Sequence, residues 1–332
     1  MKNNNTGIIL TLAYPETIVR HAEEWYSPFL KYLGIGNQTH VRAGHAALVL
    51  ISKETGILEY YDFGRYVTPH ATGRVRAKDT DCELEKPLRA KLVNDNIVNL
   101  NDILNYLATH PEFTHGEGTL YASVCKKVNY NKASEFIKIM QERQFIRYAA
   151  FIKKATNCAR FVTDTLITSV TDNTIKKRLV RSKKFTPSTV GNVVAANSEA
   201  DVYKVQDNGS IQVFNGSVRQ INQMCFLDRL KTHRVSNVGT LKPKGQEYVN
   251  SNAQWLSGIG SGAWFELHES NVEQEYRFRR VSPNGMVDVD AIFILQEEGF
   301  QYSTPYTFLY SSNCLYCHVK QNNTIYRFDK KS

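Results

Sequence analysis

Residues 155–162 read ATNCARFV, an Asn and a Cys at the head of what the following residues mark as a helix. Phe161, Val162, Thr165, Leu166 and Ser169 share one stripe at helical spacing, so the pattern predicts an amphipathic helix beginning at Cys158. Thr156 or Asn157 is a suitable N-cap. Cys158 precedes Phe161 and Val162 by three and four positions, so its side chain leaves from the face that packs inward. In a first helical turn, unpaired backbone N–H groups and the helix dipole favour a thiolate, and the same N–H groups can hold an oxyanion. Cysteine is also among the residue types most often simply buried. A base beside it separates chemistry from packing.

The stretch 44–50, GHAALVL, offers that base: a lone His on an otherwise apolar strand, directly after a Gly that lets another segment approach closely. A second strand-like run, GILEYYDFGRY (56–66), follows through the Gly-containing turn KETG (53–56), which predicts a β-hairpin. With a two-residue turn within KETG, Asp62 falls opposite Ala47 or Val49. Either register sets it on the face of His45, because side chains alternate along a strand. Asp62 can then orient the imidazole as the third member of a triad does. A three-residue turn would reverse the parity and offer Glu59 or Tyr61 instead. His70 and His115 sit in loop-like contexts and are the alternative bases.

The order GHAALVL, then YYDFGRY, then TNCARFV resembles the permuted papain-like cysteine hydrolases. That superfamily takes in lecithin–retinol acyltransferase-like enzymes and circularly permuted relatives of NlpC-type cell-wall peptidases. The resemblance covers roughly residues 1–190. It implies an α+β N-terminal domain in which Cys158 is the nucleophile, His45 the base and later the acid, and Asp62 the orienting residue. The backbone N–H of Cys158 becomes an oxyanion donor. The implied reaction is hydrolysis or acyl transfer on a peptide-like amide or an ester through a thioester, with no cofactor and no metal. Asn157 and Tyr61 are the expected substrate-binding neighbours of Cys158 and Asp62. Arg74 and Arg76 in GRVR (73–76), on one face if extended, could hold a carboxylate or phosphate, although an ordinary surface hairpin also accounts for them. The rival reading is a papain-like domain that has lost activity and serves as a binding or scaffold protein.

At 332 residues the chain has room for about two domains. The small and polar stretch FTPSTVGNVVAANSEAD (185–201) is the best boundary, giving a hydrolase domain over 1–190 and an all-β domain, a small barrel or sandwich, over 200–332. Within the latter, DNG (207–209), PNG (283–285) and QNN (321–323) read as hairpin turns. In the first part, HAEEWYSPFLKYL (21–33) reads as a helix with Trp25, Phe29 and Leu33 on or near one face. Further helices are expected around 99–110 and over 131–144, the latter with Asn131 near its cap.

The N-terminus lacks a cationic start, a long apolar core and a cleavage site, and no run reaches the ~20 apolar residues of a membrane span. These signs point to a cytoplasmic protein without stable membrane insertion, whose six cysteines are reduced thiols. The net charge of +9 lies in the first part: residues 1–195 carry 27 Lys/Arg against 18 Asp/Glu, the remainder 14 against 14. A solvated basic surface accounts for this. KKRLVRSKK (176–184) lacks the interleaved aromatics that stack on bases, so no nucleic-acid partner is expected. CLYCH (314–318) matches the pattern of c-type haem attachment, but no second ligand pair or export signal supports haem or zinc. GIGSGAW (258–264) runs into a strand rather than a helix and reads as a turn, not a phosphate loop.

Overall fold

A computed structural model of the protein describes residues 4–22, 24–85, 88–233 and 247–331. The chain divides into two compact units, Met1–Gly64 with Lys86–Val235 and Arg65–Glu85 with Ser236–Ser332. This differs from the expected division near 190–200 in two ways. The first unit runs further, and a short early segment belongs to the second.

In the first unit the strands Gly7–Tyr14 and His45–Ser52 are almost continuous apolar runs, buried along nearly their whole length. Such strands belong in the middle of a sheet covered on both faces. They do lie there: the order is Leu58–Gly64, His45–Ser52, Gly7–Tyr14, Leu120–Val128, Tyr203–Val205 and Ile211–Val213, each antiparallel to its neighbour. The helices Tyr130–Glu142, Cys158–Ser169, Asn173–Lys183 and Thr189–Ala196 belong to the same unit. The cap of the Tyr130 helix is Asn129, whose side chain accepts from the Lys132 N–H at 3.0 Å, rather than Asn131.

The stretch expected to be a linker folds instead as the helix Thr189–Ala196, capped by Ser188. Val190 and Val193 are fully buried. Asn192, also buried, donates to the Ala159 carbonyl and accepts from the Thr163 hydroxyl, both at 2.8 Å, which pins this helix to the Cys158 helix. Small residues that resemble a flexible connection are here the ones that permit close packing. Residues 203–226, expected to open the β domain, likewise supply two strands and the helix Val218–Phe226 to the first unit. The segment 27–33 forms a 3₁₀ helix with Pro28 in its first turn, and Trp25, Phe29 and Leu33 are exposed rather than packed.

The second unit is all-β in its C-terminal part. Its strands follow the order Gln254–Leu256, Ala263–Glu269, Glu275–Val281, Val287–Leu295, Thr324–Lys330, Tyr316–Gln321 and Thr307–Phe308. PNG and QNN form the hairpin turns, with Gly285 and Asn322 at positive φ (84° and 53°) as such turns require. Gln254 draws the two ends of the sheet together: its Nε2 donates to the Tyr306 carbonyl and its Oε1 accepts from the Phe308 N–H, both at 2.9 Å. The sheet therefore curls toward a barrel around Phe265, Phe278, Phe293 and Phe328, all fully buried.

The segment Arg65–Glu85 joins this unit through Val67, which packs in that core and whose N–H donates to the Ser261 carbonyl at 2.8 Å. Asp81, fully buried, takes Arg74 in a fork at 2.5 and 2.7 Å and Arg280 at 2.8 Å. Burial alone would raise the carboxyl, but the two guanidiniums hold it well below the usual carboxylate range. Asp81→Ala leaves the buried Arg280 and the partly buried Arg74 without their shared anion. It is expected to destabilise this unit by about 3–5 kcal/mol, read as a lower urea midpoint for the loss of its near-ultraviolet dichroism.

Candidate active site

Three elements of the first unit meet at one point. The register Tyr14↔His45 sets the imidazole at the start of a central strand. Gly44, just before it, adopts φ 76°, and a Cβ there would lie 2.8 Å from the Pro15 Cα, so glycine is what lets the chain pass. The hairpin pairs Ala47 with Asp62, one of the two anticipated registers, and His45 Nε2 lies 3.1 Å from Asp62 Oδ2. Asp62 is fully enclosed. The Tyr60 hydroxyl, on the same face two residues earlier, stands 3.2 Å from the same carboxylate oxygen and 3.3 Å from the Thr114 carbonyl.

The third element is the helix Cys158–Ser169, with Asn157 as its cap accepting from the Arg160 N–H at 2.9 Å. Cys158 occupies the first helical position and hydrogen-bonds the His45 side chain and the Ala46 backbone N–H. The preceding chain runs parallel to the cap: Ala149 N–H donates to the Thr156 carbonyl at 3.0 Å, and Thr156 N–H to the Arg147 carbonyl at 3.1 Å. This pairing carries the Tyr148 hydroxyl to 3.9 Å from the Cys158 sulfur, with its ring stacked on Phe63. Arg160 Nη1 donates to the Ile152 carbonyl at 2.9 Å and buried Glu24 accepts from the Ala150 and Phe151 N–H groups, so the loop before the helix is held from two sides.

The electrostatics follow from these contacts. Burial depresses the imidazolium of His45, but its hydrogen bonds to Asp62 and Cys158 and their negative charge outweigh burial and lift its pKa to about 9. Burial pushes the Cys158 thiol up, yet His45, the Ala46 N–H and Tyr148 bring it below the ordinary thiol value. Together the two groups favour thiolate and imidazolium at neutral pH. Cys158 and His45 are only 6% and 5% exposed.

Cys158, His45 and Asp62 are thus brought together. Asn157 is beside them, but its side-chain oxygen serves the helix N-terminus. Tyr61, paired with Leu48, projects to the face opposite Asp62 by strand alternation. Arg74 and Arg76 belong to the second unit, where Arg74 is engaged by Asp81 and Arg76 lies over the Tyr66 ring at 4.2 Å, with Glu83 at 3.8 Å. His70 also lies in the second unit, and His115 follows the short helix Pro111–Thr114. Tyr60 was readable from the alternation that singles out Asp62. Tyr148 was not, because nothing local says that its segment pairs with the helix cap. Among the described residues no group of three or more His, Cys, Asp or Glu could hold a metal ion, and no helix is long and apolar enough to cross a membrane.

A family model of TseH-like type VI secretion system effectors matches residues 9–175, and one for the DUF6695 C-terminal domain matches residues 253–331. Among solved structures, the chain is similar to the crystal structure of the type VI secretion system effector TseH, at 17% identity and a TM-score of 0.41. The match covers 64% of this chain and 99% of that one. No curated protein matches the chain.

Proposed function

We propose, from the premise that the chain belongs to the TseH-like family of type VI secretion system effectors, that it is a papain-like cysteine hydrolase delivered to act on another cell. The observation that carries this reading is the hydrogen-bonded set Cys158, His45 and Asp62 at a helix N-terminus. Its order along the chain, His45, Asp62, Cys158, supports the permuted form of the fold.

The Cys158 thiolate attacks the carbonyl carbon of a peptide-like amide or an ester, and the developing oxyanion is held by first-turn N–H groups of the helix. With the Nε2–H donating to Asp62, Nδ1 of His45 carries the proton that the departing amine or alcohol takes as the tetrahedral intermediate collapses to a thioester. The neutral imidazole then takes a proton from water, which attacks the thioester and frees the acid and Cys158. Asp62 keeps the ring in one tautomer and stabilises its charged form. Burial of the sulfur and the sheet-locked imidazole limit productive substrates to a slender chain at the scissile bond.

The test is to trap the intermediate. The full chain is mixed with activated esters and short peptide amides, quenched in acid and digested for mass spectrometry. An acyl group on Cys158 that neutral hydroxylamine removes is the expected result. Turnover without such an adduct in Cys158-containing peptides, or an unreactive Cys158, overturns the reading and favours a scaffold of the same fold.

A further inference from the structure

The second unit contains a pair of thiols that the proposed hydrolysis does not use. Cys82 opens the 3₁₀ turn Cys82–Leu84 and is half-buried, whereas Cys314 is fully buried. They are 232 positions apart in the chain, yet the Cys82 backbone N–H donates to the Cys314 sulfur at 3.0 Å and the Cys314 N–H donates to the Thr80 carbonyl at 3.4 Å. The two thiols also hydrogen-bond each other. Arg280 Nη1 lies 3.7 Å from the Cys314 sulfur while its Nη2 holds Asp81, so a fixed cation stands beside the pair.

We infer that Cys82 and Cys314 are a modification site, an intramolecular disulfide formed by exchange with a small-molecule disulfide oxidant. Cys82 is the entry thiol because it is the more accessible of the two. The hydrogen bond from Cys314 and the cations of Lys330 and Arg280 outweigh burial and hold its thiol below the ordinary value. The same contact, with burial, pushes Cys314 up, which suits it to the resolving step rather than the first attack. The Cys82 thiolate attacks one sulfur of the oxidant and expels the first small thiolate, leaving a mixed disulfide. Cys314 then loses its proton and attacks the Cys82 sulfur, expelling the second. Two protein thiols and one small disulfide become one protein disulfide and two small thiols, so the electrons balance.

The bond would fasten the Arg65–Glu85 segment covalently to the β unit at the point where Asp81 and Arg280 already hold it. Such an oxidant is met in an oxidising compartment rather than in a glutathione-reduced cytosol. Nothing in this inference depends on Cys158.

The test uses the full chain with excess oxidised glutathione, alkylation of the remaining thiols, digestion without reduction and mass spectrometry. The expected result is one linked peptide pair, Cys82 with Cys314, short of two hydrogens and separated by dithiothreitol. Cys314→Ser should instead retain glutathione on Cys82. Stable glutathione on Cys82 with Cys314 still alkylatable in the unsubstituted chain overturns the inference, as does full alkylation of both after oxidant.

Discussion

Cys158→Ala is expected to lower turnover by about 10⁶-fold, the scale seen when a triad loses its nucleophile. The loss should be nearly complete because each later step acts on the bond that this sulfur forms. The substitution removes one buried sulfur at a helix start and leaves the Asn157 cap and the Val162 and Leu166 packing in place. The melting temperature should therefore move little beside the loss of activity. Steady-state hydrolysis and thermal unfolding measured on the same preparation separate a lost nucleophile from a lost fold. Retained hydrolysis would exclude Cys158 from the chemistry.

His45→Ala is expected to remove both the base and the counter-charge of the thiolate. Without the imidazolium, burial dominates the Cys158 environment and its thiol moves above the ordinary value. An ordinary thiol is only about 0.3% thiolate at pH 6, so iodoacetamide labelling of Cys158 at that pH should fall by ~10²-fold or more. Asp62→Asn keeps the shape but not the charge, and its labelling should fall in between. Equal labelling of the parent chain and His45→Ala would mean that the two side chains do not form an ion pair in solution.

The sign of the pH dependence follows from the same contacts. The His45 pKa is raised from 6.5 to about 9, so the stability it contributes is complete below about pH 6.5 and is lost as pH rises through about 9. Thioester formation should weaken over the same upper limb, because a neutral imidazole no longer protonates the leaving group.

Much of the arrangement was legible in the sequence, and the reasons are local. A lone His on an apolar strand after Gly44, an Asp at the right parity across a short hairpin, and a Cys following an Asn cap are statements about neighbours within one hairpin or one helical turn. Strand alternation and helical periodicity act over such distances, so pattern reading suffices there. The positive-φ turns at PNG and QNN were legible for the same reason.

FTPSTVGNVVAANSEAD has the composition of a linker, and only the facing Cys158 helix, with Thr163 and the Ala159 carbonyl awaiting Asn192, makes it a packed element. Trp25, Phe29 and Leu33 were expected on or near one face of a helix, but the segment Ser27–Leu33 is a 3₁₀ helix and all three side chains are exposed. Arg74 and Arg76 could be read as holding an external anion or as an ordinary surface hairpin. Their anions are Asp81 and Glu83, and Arg280, which shares Asp81, comes from about 200 positions away. By itself, the sequence determined which side chains strand parity and helix caps place near one another within one turn or hairpin. Which segments belong together, that Tyr148 reaches the sulfur and that Cys82 reaches Cys314 were decided only by tertiary structure, because burial and long-range pairing depend on partners that local pattern does not encode.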